Sequence, residues 1–466
     1  MPAPTATPHD PSVNAVPGRP PLAVTPDVPD TADLTRLRRR FAPIFERIAA
    51  GAAERDVHRT LPYAEIRELN AAGFATLRVP RSHGGPEVSV RTLAALLVDL
   101  AAADSNVAHQ YRSHYGFLES LRHKDAPQQD RWYRLILAGA TVGNASTETS
   151  GNTLGTLNTT LEPGPDGTAL LTGRKGYATA SLFSSHTRVS AAVPDDEGRP
   201  TPGRCFAVVP VDQEGVELFD DWDGFGQRLT ATGTAVFTRV PVDRADVFER
   251  QAGTAEAVIE AAYFQLFLLA VLAGIATGAR DTAADLVRRR TRTFNTGSGA
   301  LFRDDPLIQE AVGRIASTSF SVTATVLHAA DALDAAIAAV DGAEEGEDLA
   351  LEVYAAELAV EQAQVTVPEA AIRAASELFH AGGASNTRTG KALDRFWRNA
   401  QTVATHNPVP FRARSVGDWF VNGTLPEGLN AIGDAAGAPQ GSAGTTEEPA
   451  ATPQGSADAD SKAGAR

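Results

Sequence analysis

Helix-like and strand-like segments of this chain are segregated into blocks, and that order constrains its fold more than any other feature of the sequence. Apolar residues recur at helical spacing through residues 33–138. Residues 140–247 are richer in Thr, Val and Gly and contain short strand-like runs between turn residues. The helical pattern returns from residue 256 to about residue 419. Because helices and strands do not alternate, we predict an α+β fold rather than a doubly wound parallel sheet.

The composition divides the chain into three folded regions and two tails. We predict an N-terminal helical domain at 31–139, a middle β-domain at 140–247 and a C-terminal four-helix bundle at 248–431. Residues 1–30 and 432–466 are rich in small residues and proline and show no periodicity. We therefore expect both tails to be disordered.

The overall charge and the cysteine content narrow the classes of partner and compartment. With 42 basic and 57 acidic residues the formal net charge is -15, which disfavours binding to nucleic acid or to an anionic membrane. The single cysteine, Cys205, cannot form an internal disulfide, and the N-terminus lacks the pattern of a signal peptide. A cytoplasmic location follows as the default. The apolar run at 261–276 is short for a membrane span, so we interpret it as a buried helix.

Common nucleotide and metal motifs are absent from the sequence. No glycine-rich turn has the G-x-G-x-x-G or G-x-x-x-x-G-K-[ST] spacing that binds a dinucleotide or a nucleoside triphosphate. No H-E-x-x-H motif or clustered Cys/His spacing is present, so we predict no metal site. A G-x-S-x-G nucleophile elbow is also missing. The residues alone leave an organic cofactor held by loops as the remaining class.

Two segments of the middle region resemble flavin-contacting motifs. G-N-A-S-T-E-T at 143–149 resembles the T-E-P motif of the acyl-CoA dehydrogenase superfamily, with Thr149 in place of the proline. T-G-R-K-G-Y-A-T at 172–179 resembles the neighbouring G-x-K-x-W-I-T motif. The resemblance implies that four polar residues contact the flavin ring, the last of them also as a catalytic residue: Asn144, Thr147, Tyr177 and Thr179. Capping of turns and strands is the structural alternative for the Asn and Thr residues.

Further segments narrow the resemblance to the monooxygenase branch of that superfamily, typified by dibenzothiophene monooxygenase and the sulfur-acquisition oxidoreductases. D-W-D-G-F-G-Q-R at 221–228, followed by T-G-T at 232–234, is similar to the D-W-x-G-F-G-Q-R and G-S-G-T signature of the sulfur-acquisition group. L-D-R-F-W-R-N-A at 393–400, followed by T-H-N-P at 405–408, is similar to the L-D-R-x-W-R-N-A and H-D-P pattern of the branch. The resemblance covers about residues 35–430 and implies an acyl-CoA dehydrogenase-like fold.

This resemblance implies a two-component monooxygenase that acts on a small organosulfur compound. A separate NAD(P)H-dependent flavin reductase supplies reduced FMN, which reacts with O2 in a dry pocket to form a C4a-hydroperoxide. FAD is the alternative cofactor, and the subunits are expected to form a homotetramer. Oxygenation of an amine or of an aromatic ring is the nearest alternative activity. An FAD-dependent acyl-CoA dehydrogenase with a relocated base and a scaffold that has lost its cofactor are the other two.

One histidine bears on the choice between these activities. Many acyl-CoA dehydrogenases carry a catalytic glutamate in an I-Y-E-G-T motif, and the matching position here holds His406. Without that carboxylate, removal of a proton alpha to a thioester loses its usual base, although some dehydrogenases place the base elsewhere. The resemblance implies that His406 lies near the reactive flavin carbon, where an imidazole with a pKa near ~6.5 can exchange a proton; a loop or capping role is the alternative. His114 matches a second active-site histidine, with His109 as the competing candidate.

A basic cluster and a glycine pair complete the predicted cofactor site. Arg292, in R-R-R-T-R-T-F, lies where the superfamily places a flavin-phosphate contact, with Arg290 as the alternate. A guanidinium group can bind a phosphate through two parallel hydrogen bonds. Gly382 and Gly383, with Ser385, resemble the loop that reaches the cofactor of a neighbouring subunit. A solvated helix surface and a helix C-cap are the structural alternatives for these two groups.

Overall fold

The protein follows the order of helices, sheet and helices that its sequence predicts. The computed structural model describes residues 31–149, 157–194, 200–249, 254–293, 298–343 and 350–426, so both predicted tails lie outside the described residues. The described helices are α1 (Thr31–His58), α2 (Tyr63–Ala71), α3 (Val90–Leu121), α4 (Ala126–Leu137), α5 (Ala255–Arg289), α6 (Pro306–Gly342), α7 (Ala350–Gly382), α8 (Asp394–Ala404) and α9 (Val409–Asn422). The described strands are β1 (Val142–Ala145), β2 (Thr160–Pro163), β3 (Ala169–Lys175), β4 (His186–Pro194), β5 (Pro200–Pro210), β6 (Val216–Leu218), β7 (Ala235–Val242) and β8 (Val247–Glu249). The predicted α+β class is confirmed, whereas the exact domain limits stay predictions.

Helix α3 is the central helix of the N-terminal region and carries several residues of the candidate site. Asp104 interrupts the helix with φ -157° and ψ 110°. Its carboxylate accepts a hydrogen bond from the Asn106 amide at 3.0 Å and forms an ion pair with Arg55 at 2.9 Å. The side chain that ends the first half of α3 therefore caps the second half, which packs against β1.

The strands in the described residues form one eight-stranded sheet. Its order is β6-β7-β3-β2-β4-β5-β8, and β1 pairs in parallel with β4. This pairing places Asn144 opposite Arg188. The sheet has its own core of mostly small apolar side chains, which include Ala145, Leu171, Val189, Ala191, Cys205 and Val209. The strand that leads into the predicted flavin-contacting segment is thus held inside the sheet.

Helix α5 is the apolar centre of the C-terminal region. Both α5 and α6 are long and apolar enough to cross a membrane, but 89% of the apolar window of α5 is buried inside the fold, against 39% for α6. Gly274 lets α5 approach α3 closely, because a methyl group at this position would lie 2.4 Å from Cβ of Ala101. The prediction of a buried helix at 261–276 is confirmed.

The C-terminal region holds three long helices and two short ones within the described residues. Helices α6 and α7 pack against each other and against α5, while α8 and α9 pack against α7. The C-terminal region therefore supplies three of the long helices of a four-helix arrangement. The fourth long helix that packs against α5 is α3 of the N-terminal region. The contact between α3 and α5 brings the N-terminal helices next to the loop that follows α8.

Candidate active site

The two predicted flavin-contacting segments are joined by backbone hydrogen bonds. The Asn144 amide donates to the Thr179 carbonyl at 3.0 Å, and the Gly176 amide donates to the Thr147 carbonyl at 2.9 Å. Tyr177 lies between Gly176 and Thr179 in the sequence and is 41% exposed. Its ring packs edge-on against the ring of Trp222. Asn144, Thr147, Tyr177 and Thr179 therefore form one partly exposed group, which we call the polar edge.

A buried ion pair supports the polar edge. The ammonium group of Lys175, which is 0% exposed, donates to Glu148 at 2.7 Å and to the Ser190 hydroxyl at 3.2 Å. Glu148 also accepts from the backbone amides of Asn158 and Thr159. Burial raises the pKa of Glu148, but the hydrogen bonds outweigh burial and lower the pKa to about 2. Burial lowers the pKa of Lys175 to about 8 in spite of its partner, so both groups are charged at neutral pH.

The loop at 219–234, which we call the signature loop, connects the sheet to helices α3 and α8. Gly226 lies against α8, where a methyl group would be 2.0 Å from the Arg398 carbonyl oxygen. The next amide, of Gln227, donates to the side chain of Asn399 at 2.7 Å. Two residues later the backbone amide of Leu229 donates to the side-chain oxygen of Asn106 at 3.1 Å, which attaches the loop to α3. The two motifs that resemble the monooxygenase branch are therefore in direct contact.

A chain of hydroxyl groups leads from the polar edge into the signature loop. Oγ1 of Thr179 lies 3.0 Å from Oγ1 of Thr232, which lies 2.6 Å from Oγ1 of Thr230. The Thr230 hydroxyl donates to the Gln227 carbonyl at 2.9 Å. Gln227 and Ala180 both have left-handed backbones, with φ of 48° and 66°. Such conformations cost about 1–3 kcal/mol for residues other than glycine, so the surrounding hydrogen bonds hold this part of the site in a strained shape.

A cluster of three basic side chains, which we call the basic cluster, lies next to Gln227. It consists of His109 and Arg112 from α3 and His406 from the turn after α8. Nη1 of Arg112 lies 3.4 Å from Nε2 of His406. Because a guanidinium group can only donate, Nε2 accepts and the neutral His406 ring carries its proton on Nδ1. Arg112 is held in turn by Phe264, whose carbonyl accepts from Nε at 3.0 Å and whose ring centre lies 5.0 Å from the guanidinium carbon.

The pKa values of both histidines of the basic cluster are lowered, so both rings are neutral near pH 7. Burial and, to a smaller extent, the charge of Arg112 lower the pKa of His109 to about 3, although a hydrogen bond with Gln227 acts in the opposite direction. The His406 ring is reached by water but lies deep among protein atoms, and burial followed by the charges of Arg112 and His109 lowers its pKa well below the usual value. Burial lowers the pKa of Arg112 to about 10, so it remains charged at neutral pH. Within the described residues, no carboxylate lies close enough to shift the pKa of any of the three.

Two buried polar atoms beside the basic cluster lack a partner. Nδ1 of His109 and Oε1 of Gln227 complete no hydrogen bond of normal geometry with any described residue. The amide nitrogen of Gln227 is held by the Ser105 hydroxyl at 3.3 Å. Buried polar groups are normally satisfied. Because the Gln227 side chain is close enough to raise the pKa of His109, these two groups face each other. The partly exposed amide and hydroxyl groups of the polar edge fit a bound group that has its own hydrogen-bonding edge, as a flavin ring does.

His114 has a different environment from His109. It is 2% exposed, its Nε2 donates to the Ala75 carbonyl at 2.7 Å, and its Nδ1 accepts from the Val142 amide at 3.3 Å. Both ring nitrogens are therefore used to join α3 to β1 and to the turn before α3. Of the two histidines between which the sequence could not decide, His109 is the one that lies in the basic cluster. The catalytic role predicted for His114, with His109 as the competing candidate, stays a prediction.

The predicted phosphate and glycine-loop residues lie at the ends of α5 and α7. Nη1 of Arg290 donates to the Gly382 carbonyl and lies 3.2 Å from the Ser385 hydroxyl. Gly383 has a φ of 62°, a conformation that favours glycine. Arg292 is exposed. The alternate, Arg290, thus stabilises the glycine turn, and the phosphate contact predicted for the exposed Arg292 stays a prediction.

The sequence predicted no role for Arg112 or Gln227, although Arg112 lies between the candidate histidines His109 and His114 and Gln227 lies in the D-W-D-G-F-G-Q-R segment. His109 and Arg112 are three residues apart on one helix, a spacing that places both side chains on the same face. That spacing was a usable signal. The sequence contained no comparable signal for Gln227, because the neighbours of Gln227 depend on how the signature loop folds back onto α3.

Comparison with known proteins identifies what this arrangement is similar to. The family model described as "Acyl-CoA dehydrogenase, N-terminal domain" matches residues 31–140, and the one described as "Acyl-CoA dehydrogenase, C-terminal domain" matches residues 266–410. Together the two matches cover more than half of the chain. They include helix α3 and the turn after α8, which supply the basic cluster.

The individual relatives include a probable FMNH2-dependent monooxygenase and dibenzothiophene monooxygenases. The chain is 28% identical to a probable FMNH2-dependent monooxygenase, SfnC, of Pseudomonas putida over 86% of this chain and 97% of that protein. It is also 28% identical to a dibenzothiophene monooxygenase of Rhodococcus qingshengii over 82% of this chain and 92% of that protein. The crystal structure of FMN-bound TdsC from Paenibacillus sp. A11-2 superposes with a TM-score of 0.77 at 25% identity, over 84% of this chain and 99% of that one.

Proposed function

The chain belongs to the acyl-CoA dehydrogenase superfamily, in its flavin-dependent monooxygenase branch, and from this membership we propose that it oxygenates a small organosulfur compound with reduced FMN and O2. It acts as the oxygenase of a two-component system, in which a separate NAD(P)H-dependent reductase supplies the FMN. A flavin C4a-hydroperoxide is the oxygenating species. The relatives that act on dibenzothiophene and the FMN-bound structure support the substrate class and the cofactor.

The observation that carries this proposal is the chemistry of the basic cluster. An acyl-CoA dehydrogenase needs a carboxylate or an equivalent base at the substrate carbon. Among the described residues, no carboxylate influences the pKa of His109, Arg112 or His406. Neutral imidazoles beside a fixed cation can instead hydrogen-bond a peroxide and exchange a proton with it. The site is therefore better suited to oxygen transfer than to removal of a carbon-bound proton.

Each group of side chains has a distinct task in this proposal. Bound FMN supplies two electrons to O2. The polar edge, with Asn144 and Thr179, hydrogen-bonds the ring and fixes its orientation. His406 presents a proton on Nδ1 because Arg112 occupies the region of Nε2. His109 offers a neutral ring beside Gln227, with an Nδ1 atom that is shielded from water.

The remaining assignments concern the phosphate, the assembly and the compartment. We assign the FMN phosphate to Arg292, and FAD is the alternative cofactor for the same position. A homotetramer, in which the turn at Gly382 and Gly383 reaches a neighbouring subunit, is part of the proposal. Large apolar side chains on α6 and α9 support such packing, since Phe320 is 70% exposed and Phe420 is 68% exposed. The buried free thiol of Cys205 is compatible with a cytoplasmic location.

Isotope transfer from O2 tests the activity directly. The protein is supplied with FMN, a flavin reductase and NADH under 18O2, with a sulfide, a sulfone, an aromatic compound and an amine as separate substrates. The proposal expects one 18O atom in the product of a sulfur compound and the other in water. Labelled amine or ring product would select the alternative oxygenase activities. Reduction of tightly bound flavin by an acyl-CoA without O2 would instead identify a dehydrogenase.

A further inference from the structure

Gln227 connects the signature loop to helix α3 and lies beside a histidine of the basic cluster. We infer that Gln227 is a positioning residue, which fixes the neutral His109 ring as the tautomer that carries its proton on Nδ1. The lone pair of Nε2 is then left to accept a proton or a hydrogen bond inside the site. This inference rests on the proposed function in taking His109 as part of the reaction site. It goes beyond that function by stating which residue sets the hydrogen-bonding direction of the ring.

The signature loop runs along the face of α3 that carries His109. The Gln227 side chain donates to Oγ of Ser105 at 3.3 Å. Two residues later, the Leu229 carbonyl accepts from the side chain of Gln110 at 3.0 Å. Because residues four positions apart on a helix are neighbours on its surface, His109 lies next to Ser105 on this face. The contacts of the loop with Ser105 and Gln110 therefore place the Gln227 side chain beside the His109 ring.

A second side-chain amide decides which end of the Gln227 side chain meets the ring. The backbone N–H of Gln227 can only donate, and it donates to Oδ1 of Asn399 at 2.7 Å. The amide nitrogen of Asn399 then donates to Oγ of Ser105 at 3.0 Å, and the same oxygen accepts from Nε2 of Gln227. A hydroxyl oxygen has two lone pairs, so it can accept both bonds. Nε2 of Gln227 is thus bound to Ser105, and Oε1 is the atom that faces His109.

The backbone of Gln227 is held as firmly as its side chain. Its φ of 48° is left-handed, a conformation that costs a residue with a side chain about 1–3 kcal/mol. Its carbonyl accepts from the Thr230 hydroxyl at 2.9 Å and from the indole N–H of Trp222 at 3.1 Å. Glycine would adopt the same turn with less strain. A glutamine at this strained position therefore indicates that its side chain has a role in the site.

The two atoms that face each other are both shielded from water. Oε1 of Gln227 and Nδ1 of His109 are buried, and neither completes a hydrogen bond with another described residue. An amide oxygen can only accept, so their contact is favourable only if Nδ1 carries a proton. The hydrogen bond with Gln227 raises the pKa of His109 against the effect of burial, as expected for an oxygen that faces a ring N–H. Since the ring is neutral near pH 7, Nε2 then carries the lone pair.

An amide beside His109 sets the tautomer without stabilising a charged ring. A carboxylate in the same place would stabilise the imidazolium, as the aspartate of a Ser-His-Asp triad does. The charge that acts on His109 among the described residues is the cation of Arg112, which disfavours a second proton on the ring. The neighbouring His406 is also neutral and carries its proton on Nδ1. The two rings therefore have opposite tasks, since His406 can donate a hydrogen bond and His109 can accept one.

Solid-state NMR of the flavin-free protein tests the tautomer without turnover. The protein is labelled with 13C,15N-histidine, and the His109 signals are identified among the ten histidines by their loss in His109→Gln. Correlation with the ring carbon Cγ distinguishes Nδ1 from Nε2, and the 15N shift shows which nitrogen is protonated. Gln227→Met removes the amide at similar length, and Gln227→Glu replaces it by a carboxylate. The same two substitutions at Gln362, an exposed glutamine of α7, are the matched controls.

The parent protein is expected to show a protonated Nδ1 and an unprotonated Nε2 for His109 at pH 7. In Gln227→Met a share of the His109 rings should carry the proton on Nε2 instead. In Gln227→Glu the carboxylate should raise the pKa of His109, so that the ring takes up its second proton at a higher pH than in the parent. Both Gln362 variants should match the parent. A protonated Nε2 in the parent, or an unchanged tautomer in Gln227→Met, would overturn the inference.

Turnover with FMN, a reductase and a sulfur substrate gives a second readout. Gln227→Met should lower the ratio of product to O2 consumed by about 10- to 100-fold, because the accepting nitrogen is no longer fixed. In Gln227→Glu this ratio should recover as the pH rises through the raised pKa of His109, since the neutral ring is the form that accepts. A loss of coupling that is the same at every pH in Gln227→Glu would assign Gln227 to the structure of the loop alone and would overturn the inference.

The proposed function and this inference fail in different ways. If the parent protein binds no FMN, the proposed function falls, while the spectra of the flavin-free protein still decide the tautomer of His109. If oxygen from O2 enters a sulfur product but His109 carries its proton on Nε2, the inference falls and the oxygenase stands. Circular dichroism and the thermal midpoint show whether each variant is folded. If Gln227→Met does not fold, the spectrum of the parent protein decides the question.

Discussion

Nζ of Lys175 lies 2.7 Å from Oε1 of Glu148, and this ion pair joins the two segments that form the polar edge. The lysine side chain is 0% exposed and the glutamate side chain 9% exposed. Both residues belong to motifs that resemble flavin-contacting sequences, yet neither side chain reaches the open side of the site. Their role in the structure is to hold the residues beside them, Thr147 and Tyr177, in place.

Glu148→Gln should destabilise the protein by about 3–5 kcal/mol, because it leaves the charge of Lys175 buried without a partner. Thermal or urea unfolding at pH 7.5 measures the loss. Glu54→Gln provides the matched control, because it is the same substitution at an exposed position of α1. An unchanged midpoint for Glu148→Gln would show that the pair contributes no net stability.

His114 should make stability depend on pH in the acidic range. Burial lowers its pKa from 6.5 to about 4, and protonation would set an N–H at Nδ1 against the Val142 amide. Below about pH 6.5, His114 therefore binds a proton in the unfolded chain but stays neutral in the folded protein. The contribution of neutral His114 to the free energy of unfolding is therefore complete above pH 6.5 and is lost as the pH falls toward 4. It amounts to about 3 kcal/mol.

Unfolding midpoints at several pH values between 7.5 and 4.5 test this contribution. His114→Asn should be less stable than the parent at pH 7.5 and should show a smaller loss on acidification. His58→Asn, at an exposed position, should keep the slope of the parent protein. An unchanged slope in His114→Asn would assign the acid sensitivity to other groups.

His109 and His406 should differ from His114 in what their loss does to turnover. We expect His109→Ala and His406→Ala to lower coupled product formation by about 10²-fold or more, as for loss of a proton-transfer group. Peroxide release should rise instead, and the FMN affinity should change little. His114→Ala should mainly reduce stability. The ratio of product to O2 consumed measures coupling, and full coupling in His109→Ala would return the catalytic role to His114.

Arg292 and Arg290 should affect FMN differently. Arg292→Gln is expected to weaken FMN binding by about tenfold if its exposed guanidinium group holds the phosphate. Arg290→Gln should loosen the turn at Gly382 and Ser385 and lower the thermal midpoint. Fluorescence titration of FMN and of riboflavin, which lacks the phosphate, separates the effects. Equal loss for both ligands in Arg292→Gln would place that residue away from the phosphate.

The fold was predictable because its main signals are local. Helical periodicity before residue 138 and after residue 256, with strand-like runs between them, is present in the sequence and is confirmed by the element order. The buried helix α5 follows from an apolar run that is too short and too interrupted for a membrane span. The length of each bundle helix was harder to predict, since the packing of α3 against α5 is a long-range contact that periodicity does not record.

The candidate site was only partly predictable, since it depends on contacts between distant segments. Two motifs carry the residues of the polar edge, and the structure joins their backbones at Asn144 and Thr179, while the predicted flavin contacts stay predictions. The different environments of His109 and His114 could not be predicted from the sequence. They depend on contacts between the His114 ring nitrogens and the backbone of Ala75 and Val142, which lie far away in the chain. The place of Arg112 beside His406 joins residues 294 positions apart.

The most direct test of the account is the reaction of reduced FMN with O2 in the presence of this protein. FMN is reduced anaerobically with the protein present, the solution is mixed with oxygenated buffer, and the absorbance is followed with and without a sulfur substrate. The account predicts a protein-stabilised flavin hydroperoxide that decays faster when the substrate is present and yields an oxygenated product. Direct return to oxidised flavin under both conditions, together with reduction of bound flavin by an acyl-CoA, would contradict it.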